Sequence, residues 1–170
     1  MRKFCVALLT VGTAAFGWAG SASSFDNTPG RFTGGGKFLS SEGLRMTHGF
    51  ELHCDVNDRP NNLEVNWEGG HHWHMTEMTF AACSDRDGID PRPPVAPSDV
   101  HNGEGTGRYD GVDGYTAVWR IIDKGEPGTR DWMEIVISAP GGSIVIQTDP
   151  TTGDGTMLIG GNHQAHRNNR

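Results

Sequence analysis

The chain has 170 residues, room for one ordinary domain, and its 21 acidic against 14 basic residues give a net charge of −7. An acidic surface repels nucleic-acid phosphates and anionic lipid, which argues against both as partners. Its hydrophobic content, 35%, suits a globular domain with many turns.

Arg2 and Lys3 precede an acid-free apolar run from Phe4 to Trp18, and Ala19-Gly-Ser-Ala22 closes it with small residues. That layout predicts a signal peptide over 1–22, cut after Ala22. The run is too short to cross a bilayer and lacks a stop-transfer cluster, so no membrane span is expected after its removal. Cys5 sits inside the run, which argues against a lipid anchor. The expected location is periplasmic, cell-surface or extracellular. Loss of Arg2 and Lys3 takes the net charge from −7 to −9. Cys54 and Cys83 remain, and in an oxidising compartment such a pair reads as a disulfide.

Gly34-Gly-Gly36 lacks the Lys-Ser/Thr of a phosphate loop and reads as a close backbone approach on a first strand. From Leu44 to Cys54 the alternation is strict, with Met46, His48, Phe50 and Leu52 on one face of a strand. His48 then points inward, where a hydrogen-bonded imidazole is the ordinary outcome. Asp55 to Asn62 is a turn, Leu63-Glu-Val-Asn-Trp67 resumes the alternation, and Glu68-Gly-Gly70 turns again. Next comes His71-His-Trp-His74 and a run to Cys83.

Residues 84–108 break the pattern. Pro91, Pro93, Pro94 and Pro97 predict a stiff loop insertion, and Asp85, Asp87 and Asp90 only weakly match a calcium loop that lacks its twelfth-position Glu. Tyr115 to Ile122 and Trp132 to Ile137 read as a hairpin around Asp123-Lys-Gly-Glu-Pro-Gly-Thr-Arg-Asp131, with Pro127-Gly128 suited to a type II turn. Ser143 to Gln147 and Thr156 to Ile159 supply two more strands. With no amphipathic helix and seven to eight short strands, the expectation is all-β: an antiparallel β-sandwich or partly closed barrel, one domain over 30–166.

Three side-chain sets carry candidate chemistry. Asp123, Glu126 and Asp131 crowd one loop, and either bind calcium or accept backbone N–H groups of the turn. His72 and His74 share a strand face, and with His166 they are a transition-metal alternative. Trp73 and Trp132 are candidate binding platforms for sugar rings or proteins. No catalytic residue is assigned, since the chain lacks a nucleophile elbow, a His-Glu-x-x-His and a phosphate loop.

The chain resembles a group of small secreted bacterial domains labelled post-COAP. The residues that carry the resemblance are Gly34-Gly35-Gly36, Gly49-Phe50, Trp73-His74, Asp123 to Gly128 with Asp131, and Gly160-Gly-Asn-His-Gln-Ala-His166. It implies a compact extracellular β domain, and with no activity assigned to the group it carries no catalytic residue over. The Pro-rich insertion and the cysteine pair depart from the shorter members. The expected function is therefore a secreted non-catalytic β module that binds glycan or protein or builds a surface structure. The alternative is a small carboxylate- or metal-dependent hydrolase of envelope polysaccharide.

Overall fold

Alternation of apolar and polar residues becomes alternation of buried and exposed ones along nearly every strand. The structure, a computed structural model, describes residues 29–89 and 96–167. The signal segment read at 1–22 lies outside the described residues. The strands are β1 (Gly30–Leu39), β2 (Arg45–His53), β3 (Asn62–Trp67), β4 (His71–Ser84), β5 (Val100–Tyr109), β6 (Val112–Ile122), β7 (Trp132–Ser138), β8 (Ile144–Gln147), β9 (Thr156–Met157) and β10 (Gly160–Arg167). On β2, Met46, His48, Phe50 and Leu52 are buried; on β7, Met133, Ile135 and Ile137 are fully so. Every such set faces one side, and that side becomes the core.

All strands belong to one antiparallel sheet. β1 to β8 follow one another as a meander, β10 returns to pair with β1, and β9 pairs with β7. The sheet curls into a half-barrel of nine strands, the partly closed barrel of the two architectures expected. Register shifts between β4 and β5, β5 and β6, and β7 and β8 assist the curl, because a bulge bends and twists its strand.

One segment joins the two ends of the sheet. Thr156 and Met157 pair with β7, the Leu158 N–H bonds the Asp131 carbonyl at 2.9 Å, the Ile159 N–H bonds the Lys37 carbonyl at 2.8 Å, and β10 then runs along β1. The β1–β2 turn adds a bond from the Ser41 N–H to the Gln147 carbonyl. Cys54, just after β2, and Cys83 on β4 form a disulfide, with Cα atoms 5.4 Å apart.

Two expectations need correction. The loop at 84–108 is shorter than its composition suggests, because β5 occupies Val100–Tyr109 between β4 and β6. Its glycines are not loop residues. Gly103, Gly105 and Gly107 all face the core, and a Cβ on Gly107 would lie 2.6 Å from the Trp73 indole, while one on Gly103 would enter the Trp119 ring. The strand is bare so that two indoles can lie on it. The second correction concerns the hairpin. β6 and β7 pair as expected from Ile122 opposite Trp132, but Gly128 opens a short 3-10 turn, Gly128–Arg130, instead of completing a type II turn.

Gly103→Ala should therefore destabilise by about 1–3 kcal/mol, the usual range for overpacking. Trp119→Phe in the same chain should recover part of the loss, read by urea unfolding. An unchanged midpoint for Gly103→Ala would mean the indole does not rest on this strand.

Candidate functional site

The β6–β7 loop lies against β10, and its three carboxylates are occupied there. Antiparallel pairing points every second backbone N–H of β10 away from β1, leaving an edge of unpaired donors. Asp131 Oδ2 accepts the His163 N–H at 2.7 Å, and Asp123 Oδ2 accepts the Ala165 N–H at 2.8 Å. Their other oxygens accept loop amides: Asp131 Oδ1 from Lys124 at 2.9 Å, Asp123 Oδ1 from Gly125 at 2.7 Å. Glu126 Oε1 accepts from the side-chain amides of Asn162 at 3.0 Å and Gln164 at 3.1 Å. Gly128 packs so closely on Asn162 that a Cβ has no room. Side-chain oxygens thus take the place of a neighbouring strand.

Of the two readings of these acids, the geometry favours the acceptor role and extends it beyond the turn to the last strand. Among the described residues no group of three His, Cys, Asp or Glu side chains is arranged to hold a metal ion. Asp131 is fully buried. Burial pushes its carboxyl up to about 6 against the pull of the His163 and Lys124 amides, and Asp123 and Glu126 add to the rise.

The histidines of the transition-metal alternative do not meet. His72 and His74 are both exposed on β4, and His72 Nδ1 lies 3.4 Å from Asp110. His166 bonds Thr33 Oγ1 at 2.7 Å on β10. β1, β2 and β3 separate β10 from β4, roughly 19 Å along the sheet at ordinary strand spacing.

Two other histidines do meet, inside the core. His48 and His163 approach with Nε2 atoms 2.7 Å apart, and His163 Nδ1 lies 3.3 Å from the Ile122 carbonyl. Neutral rings satisfy both contacts in one arrangement: His163 Nδ1–H donates to Ile122, and His48 Nε2–H donates to His163 Nε2. Phe38 and Phe50 flank the pair. Burial and then the His163 ring hold His48 down at about 3, and burial holds His163 at about 4. His101 is a third buried ring, between the His53 carbonyl and Trp119 Nε1, and burial holds it at about 4.

Trp73 is not a platform. It is fully buried, because its indole lies over Gly107 of β5. Trp132 keeps part of its surface, with Lys124 Nζ 4.9 Å from its ring centroid and Met157 beside it on β9.

At the opposite end of the barrel lies a cluster that the sequence reading passed over. The ends of β3 and β5 and the starts of β4 and β6 bring Trp67, Tyr109, His71 and Tyr115 together. Trp67 and Tyr109 are stacked, with centroids 5.4 Å apart and planes 2° apart, and Tyr115 meets Tyr109 at 5.1 Å. The β5–β6 hairpin has the two-residue turn Asp110-Gly111, whose φ values of 47° and 83° fit the Asp-Gly preference of such turns. The turn fixes Asp110, whose Oδ2 lies 2.8 Å from His71 Nδ1 and whose Oδ1 accepts the His72 N–H at 3.0 Å. The Tyr109 hydroxyl lies 3.0 Å from the same His71 nitrogen. The His71 contact, ahead of the His72 amide, lowers the Asp110 carboxyl below its ordinary range. Burial and then Asp110 raise the Tyr109 phenol, so it stays protonated at neutral pH. Histidine beside glycine and an Asp-Gly turn were the available signals, but only folding places the four rings together.

No protein-family model, curated protein or solved structure matches the chain.

Asp131→Ala strands the Lys124 and His163 amides, so it should destabilise by about 2–3 kcal/mol, near the cost of unpaired buried donors. Millimolar calcium should leave the melting temperature at its chelator-treated value, since N–H groups already hold these carboxylates; a rise that saturates with calcium would contradict this.

Acid should weaken the fold. His48, His101 and His163 have folded values below their ordinary 6.5, so their contribution is complete above 6.5 and is lost as pH falls toward about 4. Asp99 and Asp131, raised from 3.8 to about 7 and about 6, run the other way and regain stability over that window, offsetting part of the loss. The urea midpoint should fall between about pH 7 and about pH 4.5. A midpoint that stays flat there would show that the carboxylates cancel the rings, and one that rises as pH falls that they outweigh them.

Proposed function

We propose that this chain is a secreted, non-catalytic β module of the post-COAP type, working in the periplasm, at the cell surface or outside the cell, by binding glycan or protein. The observation that carries this reading is the aromatic cluster at the barrel mouth, where half-buried Tyr109 and Tyr115 cover nearly buried Trp67 and a hydrogen-bonded His71–Asp110 pair stands beside them. Barrel mouths are common ligand sites, and rings with a few oriented polar groups are their usual lining. The Cys54–Cys83 disulfide agrees with an oxidising compartment, and the acidic charge argues against nucleic acid. A role in building a surface structure rests on the same half-buried rings.

A second reading, hydrolysis of envelope polysaccharide, draws on the His71–Asp110 pair, since a carboxylate that orients an imidazole is half of a general-base arrangement. The three loop carboxylates do not support it, being engaged with β10.

Secreted full-length protein should begin at Ser23 and be retained on washed bacterial envelope material, and Tyr115→Ala should release it. No reducing ends should appear over a long incubation. Release of sugar that His71→Ala abolishes would replace this reading with the hydrolase.

A further inference from the structure

We infer that the barrel mouth takes a neutral carbohydrate, stacked on Tyr115 and hydrogen-bonded beside it. The inference rests on the binding reading above and names its ligand. Shape comes first. The cluster residues point to the core side of their strands, but they lie at the rim, so Trp67 forms a nearly covered floor while both tyrosines keep surface in solvent. The floor is filled by the Trp67–Tyr109 stack, which leaves no slot for a ring to insert between them. Tyr109 is held between Trp67 and Tyr115, whose plane is tilted 55° from it, so a ligand lies on Tyr115, as the flat C–H face of a pyranose does on an aromatic ring.

The polar groups match hydroxyls. With its proton on Nδ1, His71 donates toward Asp110 and also faces the Tyr109 oxygen, the Tyr109 O–H is turned to Asp110, and His71 Nε2 is left to accept. An oriented acceptor therefore stands at the edge of the stack, where it can take the proton of a sugar hydroxyl. The Asp110-Gly111 turn and the His72 amide fix the carboxylate that orients this ring, so the pair is set before any ligand arrives.

Charge then narrows the ligand. Around the mouth Arg45 faces Glu68 at 4.0 Å, Arg108 binds Asp113 at 2.7 Å, and Asp110 takes His71. These charges are paired with one another, and the whole chain is acidic. Polyanions, phosphates and acidic peptides find no complementary field here, whereas an uncharged polymer of hydroxyls does not require one.

The test is affinity electrophoresis of the secreted full-length protein through gels containing hydroxyethylcellulose, glucomannan or laminarin, with alginate as the anionic control. A selection from a random dodecapeptide library runs alongside. The expected result is retardation by at least one neutral polymer, insensitive to added salt. Tyr115→Ala should weaken it by about tenfold or more, roughly the loss of one aromatic contact together with the area that it covers, in a protein that thermal melting shows to be fully folded at the assay temperature. Should Tyr109→Ala fail to fold, Tyr109→Phe removes only the hydroxyl and should weaken binding on its own. Retardation by alginate alone, or by a neutral polymer equally in Tyr115→Ala, overturns the carbohydrate assignment. Peptides that bind the wild type and not Tyr115→Ala also overturn it, while leaving the mouth a binding surface. If neither polymers nor peptides distinguish the two proteins, the mouth only seals the core and the binding reading falls with it.

Discussion

A curled sheet that does not close on itself has two edges, and an edge of unpaired N–H groups either finds acceptors or invites another chain. This barrel resolves one edge with carboxylates. Asp123 and Asp131 each spend one oxygen on their own loop and one on β10, so the amides that tighten the loop and the amides that dock the strand share two side chains. Glu126 then reads the strand's side chains, Asn162 and Gln164. β10 has little apolar content, with Ala165 its only buried hydrophobic residue, so these bonds and the β1 ladder hold it. The same contacts explain why an acidic loop and a Gly-Gly-Asn-x-Gln-x-His segment belong together in one sequence.

The interior follows from the same economy of space. Two indoles, Trp73 and Trp119, lie flat on a strand whose inward positions are glycines. Opposite them a pair of neutral imidazoles joins β2 to β10. Burial of those rings in uncharged form is affordable because each contact has both a donor and an acceptor, with His101 similarly placed between a carbonyl and an indole N–H.

Much of this architecture is legible in the residues. Period-two alternation marks β2, β3 and β7, Cys54 and Cys83 form the disulfide that the cysteine pair suggests, and the inward position of His48 follows from its neighbours. β5 escapes because glycine every second residue looks like a loop until the indoles that need the space are known. Trp73 misleads for the complementary reason: three histidines around it suggest exposure, yet its floor is a glycine on a strand that the composition hides. The loop carboxylates are plain in sequence, but their partners lie some thirty to forty residues later on an edge that only the topology defines. The aromatic mouth gathers residues from four strands, and no local pattern records such a gathering.

The return of β10 to β1 also has a kinetic side. Phe32 stands opposite Ala165, so the pairing joins opposite ends of the domain. Contacts that distant in sequence close the longest loop in the molecule and form late. Until residues 160–167 have been synthesised, β1 lacks its outer neighbour and the loop carboxylates lack their amides, so a growing chain cannot finish the barrel early. Incompleteness of that kind keeps the polypeptide open for as long as it is being made.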